Sequence, residues 1–515
     1  MTLPAMQVGS TIPPKTGLGR GWTKQRMGLV AGPLLFAVII LMPPLPDMSS
    51  VATARGLPTW GPQFALGLML WIMVWWITEC VPLGLAALIG PFGFSVSGLV
   101  PWRESLASYT DPIIWIFFVG FALAAAFQKW GLDRRVSYRL GSMYRGSSPR
   151  IAALFAAGLP VFLLTMTGSI TGSTAVVYPM TVAFLAALGL SGNSRYRSGT
   201  LLLLGQSATA GAMLLLISTV PNLVTKAAIE RAVPGATITF FDWFIVGTPQ
   251  AIAGLLISWL VVFSVIRPEF KSLPEMRETF SENLKKLGRP SPGEKLVAAV
   301  LLSVIVLWIV PSAIRAWSYS DPSLTPTANI LAQVLPEAGP ALIGLIALAL
   351  LRADGKPLLA WDEELHAIDW NIIFLFGGGI ALGLGLERSG FAAWLGRVGT
   401  GWAGPAPSPF TIFVIAATIG FVLTYAASNT AAAIISTSVA ASLALGAGVN
   451  PIPPILAAGI ASSISSALPA TTPPMAIVYG SGQIRMLDML RAGLTSDLLR
   501  FGVLIATGPL LAEFL

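Results

Sequence analysis

The chain has one cysteine and one histidine among 515 residues, Cys80 and His366. A lone cysteine excludes an intrachain disulfide and a cysteine-built metal cluster, and a lone histidine argues against a multi-histidine metal centre. Charge is scarce as well. Asp, Glu, Lys and Arg make up 10% of the chain, against about 25% in soluble globular domains. So few charges cannot solvate the surface of a soluble protein of this length. The net charge is +8, but the basic residues lie in loops between apolar runs and form no basic face of the kind that binds nucleic acid.

What the chain has instead is apolar sequence, 55% of all residues. It comes in runs such as 29–42, 64–77, 113–127, 201–217, 251–266, 296–310, 341–351 and 493–511. Several approach the roughly 20 residues with which a helix crosses the hydrocarbon core. The runs do not alternate, so the strands of a membrane barrel are excluded. The expected class is an all-α polytopic membrane protein. Lys15, Arg20, Lys24 and Arg26 precede the first run, and Ala52-Thr53-Ala54 resembles a cleavage site. The long polar lead favours an uncleaved first span over a signal peptide.

Basic residues fall in five clusters: the N-terminus, 134–150 with five arginines, Arg195 with Arg197, 267–295, and Arg485 with Arg491. By the positive-inside rule these are cytoplasmic, with the N-terminus inside and the protein in the inner membrane. Segment 267–294, charged and proline-containing, reads as a solvated cytoplasmic linker. The expected division is therefore 1–60 as N-terminus and first span, 61–266 as a first repeat, 267–294 as linker and 295–515 as a second repeat.

The repeat is visible in the residues. At an offset of 259, residues 113–171 align without a gap on 372–430, pairing Gly120 with Gly379, Gly131 with Gly390, Ser169 with Ser428 and Thr171 with Thr430. Beyond that window, Glu79 pairs with Glu337, and Thr219-Val220-Pro221-Asn222 with Thr472-Pro473-Pro474-Met475. Between the basic flanks at Arg150 and Arg195 the chain carries a polar interruption at 165–174. It therefore enters and leaves on one side, as a re-entrant hairpin whose irregular tip needs protein or a water-filled cavity around it. Each half then holds five crossings and one hairpin after one extra N-terminal span, about eleven spans in all. An odd number of crossings turns the second copy upside down, giving inverted-topology repeats with a substrate site between them at mid-membrane.

The chemistry of the four paired segments suits an anion. Ser, Thr and Asn offer hydroxyl and amide donors to carboxylate or sulfate oxygens. Helices broken at Thr219, Pro221 and Asn222, and at Thr472 and Pro473, would aim free N–H groups and a positive dipole end at it. Freed carbonyls can hold Na⁺. Each feature also has a plain reading, since proline in a membrane helix can be only a kink and Ser or Thr can serve helix packing. Their duplication at matched positions favours a site. Glu79 and Glu337 read equally as ion sites and as interfacial helix ends.

With these residues the chain resembles the divalent anion/sodium symporter family. The likeness covers nearly everything after residue 60 and is carried by Thr78-Glu79-Cys80-Val81-Pro82, the 118–124 and 129–132 segments, 376–382, Ser428-Asn429-Thr430-Ala431 and the 470–482 segment. It implies eleven spans with two hairpins, a mobile transport domain on a dimerising scaffold, an elevator-like movement, and Na⁺ as coupling ion with no other cofactor. It implies that Ser428, Asn429 and Thr430 bind substrate and Na⁺, that Thr424 and Thr471 complete that ion site, and that Thr165, Ser169 and Ser218 stand at the equivalent first site. Thr472 and Pro473 would face the substrate. One departure matters: where the family's first tip reads Ser-Asn-Thr, this chain reads Ser169-Ile170-Thr171. The first break also reads Ser218-Thr219-Val220-Pro221-Asn222 in place of the family's Gly-Thr-Pro-Pro-Asn.

The expectation is a secondary carrier of small divalent anions, C4-dicarboxylates or similar, Na⁺-coupled and homodimeric. The alternatives are a sulfate or other small-anion transporter, an exchanger with weakened Na⁺ coupling, and an anion channel. An enzyme is disfavoured because no nucleophile–histidine pairing is available to His366.

Overall fold

A computed structural model of the chain describes residues 24–190, 194–273, 277–318, 320–336, 338–364, 370–403, 407–469 and 471–512. Glu337, His366 and the basic residues before Lys24 lie outside these. Among the described residues the secondary structure is helical apart from one two-stranded hairpin pairing Arg352 with Pro357. Among the described residues nine helices are long and apolar enough to cross a membrane, or ten if a pair bent by 53° at 335–337 counts as one span. That is fewer than the expected eleven or so. Three further apolar helices, Gln25–Leu41, Leu83–Val96 and Ile452–Ala461, are shorter than a full crossing.

In chain order the first half is α1 (Lys24–Leu41), α2 (Gly61–Thr78), α3 (Leu83–Val96), α4 (Pro112–Lys129), α5 (Leu132–Gly141), α6 (Pro149–Thr167), α7 (Ile170–Ala187), α8 (Arg195–Gly211), α9 (Val220–Ala232) and α10 (Phe240–Val265). The connecting α11 (Arg277–Lys286) follows. The second half is α12 (Pro292–Ser318), α13 (Thr325–Val334), α14 (Ala338–Leu350), α15 (Trp370–Arg388), α16 (Phe391–Ala403), α17 (Pro409–Ala426), α18 (Asn429–Gly446), α19 (Ile452–Ala461), α20 (Pro473–Tyr479) and α21 (Met486–Ala512). The 259 offset reappears in the helix boundaries. Leu132 and Phe391 open α5 and α16, Ile170 and Asn429 open α7 and α18, and Lys129 and Arg388 end α4 and α15.

Packing crosses between the halves in reciprocal pairs. α4 lies on α14 while its counterpart α15 lies on α3; α8 lies on α20 while α9 lies on α19; α7 lies on α20 while α9 lies on α18. At the centre, α8 is buried along nearly its whole length although it carries Gln206, Ser207 and Thr209. Apolar side chains face outward instead, as at Leu302, Val306 and Val310, one turn apart on α12. This inside-out distribution is the one expected where lipid is the outer solvent.

Segment 267–294 is not the solvated tether expected from its charges. Phe280 of α11 is 2% exposed and stacks edge-on against Tyr138 of α5. Arg135 forms a double hydrogen bond with Glu294 at 3.0 and 3.1 Å, and Leu273 N donates to Ser147 O at 2.8 Å. A few apolar residues spaced along an amphipathic helix outweigh its charge-rich average. This docking gathers basic residues at one end of the molecule, where Arg135, Arg139, Lys285 and Arg289 line a common groove.

Candidate functional site

The polar segments of the two halves meet at one cavity of about 240 Å³. Ser169, Ile170 and Thr171 reach it from the first hairpin tip and Ser428, Asn429 and Thr430 from the second. Ser218, Thr219 and Val220 come from the first helix break, and Thr471, Thr472 and Pro473 from the second. Leu83, Phe121 and Leu375, on α3, α4 and α15, close it with apolar surface.

Local sequence explains each tip. α6 and α17 end at the tips, and the chain restarts at a serine in extended conformation that caps the next helix. Ser169 Oγ accepts from Gly172 N at 3.0 Å, and Ser428 Oγ accepts from Ala431 N at 3.3 Å. Each hydroxyl proton stays free to donate towards the cavity. At the breaks, Thr219 and Thr472 are the N-caps of α9 and α20, neither makes a side-chain capping bond, and proline in the first turn fixes the restart. Thr472 Oγ1 is buried without a hydrogen-bond partner among the described residues. A buried donor left in this state costs about 1–3 kcal/mol unless something binds it.

Two residues expected at the substrate lie elsewhere. Asn222 is buried and its amide donates to the carbonyls of Ala212 and Leu215, both at 2.8 Å, so it ties the loop after α8 to the first turn of α9. Pro221 sits in that turn and does not line the cavity. Glu79 is exposed at the end of α2 with φ 48°, where it caps the helix terminus.

The two halves differ where a cation would bind. In the second half, Thr424 Oγ1 lies 2.7 Å from Asn429 Oδ1 and 2.6 Å from the carbonyl of Ser462, and Ser465 Oγ lies 2.9 Å from Asn429 Oδ1. Thr471 Oγ1 donates to the carbonyl of Leu468 at 2.7 Å. Neutral oxygens from side chains and unwound backbone, gathered at a helix end, are the donor set that suits Na⁺. In the first half, Thr165 Oγ1 lies 2.7 and 2.8 Å from the carbonyls of Phe162 and Gly211, and Ser218 Oγ accepts from Leu215 N at 3.2 Å. Ile170 replaces Asn429 and brings no oxygen. A second loss becomes clear from packing. A Cβ on Gly247 would fall 2.2 Å from the carbonyl of Met213, and one on Gly493 would fall 2.6 Å from that of Ser466. These contacts make Met213 and Ser466 equivalent, so Ala212 stands where Ser465 does. The second half thus gathers more side-chain oxygens at this place than the first, where Ile170 and Ala212 bring none.

Sequence reading missed Ser465 and its neighbours. The signal was available as Ser462-Ser463-Ile464-Ser465-Ser466 against Thr209-Ala210-Gly211-Ala212-Met213, but serines in an apolar segment read as packing residues.

A family model, the sodium:sulfate symporter transmembrane region, matches residues 24–515. The chain is similar to the sodium-dependent dicarboxylate transporter SdcS of Staphylococcus saprophyticus, 29% identical over 491 residues that cover 93% of this chain and 90% of that one. It is similar also to SdcS of Staphylococcus aureus, 28% identical over 497 residues, covering 94% and 90%. Among solved structures, MtrF of Neisseria gonorrhoeae, described with a class of antimetabolite efflux pumps, superposes with a TM-score of 0.46 at 15% identity over 81% of this chain and 84% of that one. A likeness that loose carries no argument about the site.

Proposed function

The chain belongs to the sodium:sulfate symporter family, and from that premise we propose that it is a Na⁺-coupled carrier of C4-dicarboxylates. The observation that carries the substrate is the cavity lining. Hydroxyl, amide and helix-terminal donors from both halves can grip two carboxylates. Leu83, Phe121, Val220 and Leu375 present apolar surface to the same cavity. A carbon skeleton between two carboxylates satisfies those faces, whereas sulfate, with oxygen on every side, would leave them in contact with charge. Anion recognition here uses no basic side chain in the lining, only dipoles and a co-bound cation at Thr424, Asn429 and Ser465. The similar SdcS proteins are named for sodium and dicarboxylate.

Further along α9, α15 and α18 a second cavity of about 170 Å³ is lined by Arg231, Glu387 and Ser438. It supports an approach route for anions on one side of the site. The reciprocal packing supports two halves related by an axis in the membrane plane. The buried α8, α9, α19 and α20 would move with the hairpins as one body against α1–α4 and α12–α15, in a homodimer with its N-terminus cytoplasmic.

One observation favours a second reading. Ile170 weakens the first half of the site towards a cation, which suits exchange of anions with little Na⁺ dependence. Uptake of labelled succinate and of sulfate into proteoliposomes, with and without an inward Na⁺ gradient, separates these. Succinate accumulation driven by Na⁺ is expected. Counterflow without any Na⁺ effect would establish the exchanger, and transport of sulfate but not succinate would overturn the substrate.

A further inference from the structure

Two charged residues lie buried in α21, Asp497 at 0% and Arg500 at 3% exposure. Their partners divide between the two halves. The Asp497 carboxylate accepts from Ser466 N at 2.6 Å, Ser466 Oγ at 2.8 Å and Tyr425 OH at 2.7 Å, all in the second half. The Arg500 guanidinium turns the other way, to the last turn of α8 in the first half. It donates to Thr209 Oγ1 at 3.1 Å and to the Thr209 carbonyl at 3.2 Å. The two charges are 3.7 Å apart. They form a fixed dipole laid across the breaks, with its negative end beside the second and its positive end beside the first.

The repeat makes this arrangement one-sided. α10 and α21 align without a gap on Asp242 with Asp488 and Gly247 with Gly493, which sets Ala251 opposite Asp497 and Gly254 opposite Arg500. The first half therefore supplies no matching pair, and a Cβ on Gly254 would come within 3.1 Å of Arg500 Nε. The negative end lies next to Ser465, which holds Asn429 in the oxygen cluster that fits a cation. The positive end lies at the carboxyl end of α8, where helix carbonyls would otherwise attract a cation. It lies in the half in which Ile170 and Ala212 have replaced oxygen-bearing residues.

Building on the reading above, we propose that this carrier binds a single coupling cation, in the second half, and that Arg500 supplies a permanent positive charge to the first-half break in place of another. Arg500 does not line the cavity. It is a positioning residue that holds the end of α8 and fixes the sign of the field there, while Asp497 does the opposite at the Ser466 loop. A buried pair of this kind adds little net stability, because desolvation of both charges offsets their attraction.

The test is equilibrium binding of ²²Na⁺ to purified protein, together with the Na⁺ dependence of succinate uptake. One Na⁺ per protomer and a Hill coefficient near one are expected. Arg500→Gln should raise the KM for succinate about fivefold or more with the Na⁺ slope still near one, because a charge at a helix end is lost. Arg500→Lys should restore most of the affinity, which a merely structural defect would not allow. Asp497→Asn should instead weaken Na⁺ binding. Two Na⁺ per protomer in the unmodified protein, or an unchanged KM in Arg500→Gln, would overturn the proposal and leave Na⁺-coupled transport standing. No bound Na⁺ and no Na⁺-driven uptake would overturn both.

Discussion

The hydroxyl of Thr424 lies 2.7 Å from the amide oxygen of Asn429, joining the end of one hairpin arm to the start of the next across the tip. The same hydroxyl reaches the carbonyl of Ser462 at 2.6 Å. Asn429 is thereby held with its oxygen in the cluster of Thr424, Ser465 and Ser462 oxygens, and the proposed function gives its N–H₂ to a substrate carboxylate. Asn429→Ala should lower succinate uptake at least about tenfold, since a buried hydrogen bond to a charged group contributes roughly 1.5–3 kcal/mol. Initial rates normalised to well-folded protein in the liposome measure it, and a normal rate would remove this tip from the site.

At the opposite tip the outcome depends on two residues together. Ile170→Asn alone returns one ligand to a place that Arg500 keeps positive, so Na⁺ curves should keep the slope of the unmodified protein. Ile170→Asn combined with Arg500→Gln should steepen the curve. Steepening by Ile170→Asn alone would mean that the charge at Thr209 does not reach the tip.

Asn222 has its amide donors committed to the carbonyls of Ala212 and Leu215. Asn222→Ala should therefore act on folding, lowering stability by about 1–3 kcal/mol through the unpaired carbonyls. The KM for succinate of the protein that does fold should be unchanged. A raised KM with unchanged thermal stability would return Asn222 to the substrate site.

Asp133, buried in the first turn of α5, titrates at about 6 because burial disfavours its charged form, although Arg134 and backbone N–H groups pull the other way. A carboxyl whose folded pKa lies above its unfolded value of 3.8 favours the fold while protonated, and that stability is lost as pH rises through the folded pKa. Asp133→Asn should thus match the unmodified protein below about pH 3 and exceed it by up to about 3 kcal/mol above pH 6. Thermal unfolding in detergent across that range measures the gap. A constant difference at all pH values would show that the carboxyl is not the cause.

Arg145, Lys285 and Arg397 are all exposed. Single cysteines at these positions in a Cys80→Ser background should label from the cytoplasmic side at 145 and 285 and from the external side at 397. Labelling of 145 and 397 from one side would end the inverted arrangement.

Much of this architecture is legible in the residues. The offset that pairs Ser169 with Ser428 also sets the starts of α5 and α16 and of α7 and α18, because serine caps and glycine stops act locally and were duplicated with the sequence. The same local chemistry gave the positions of both tips and both breaks. What escaped reading is what depends on distant partners. Asn222 carries the same side chain whether it faces a substrate or two carbonyls, and only the loop after α8 decides. Arg500 meets Thr209 across 291 positions, and no periodicity announces that. Phe280 docks α11 through a contact with Tyr138 that the charge of its neighbours conceals.

The reciprocal packing of α4 on α14 and of α15 on α3 bears on biogenesis. When synthesis has reached the end of α11, α4 has no α14 to cover it and α3 has no α15. The newly inserted first half must wait in the bilayer with interhelical faces open to lipid or to an insertion chaperone until residue 388 has emerged. A chain cut at the linker should accordingly give two fragments that are each degraded when expressed alone and rescued when expressed together, the first half completed only by the second.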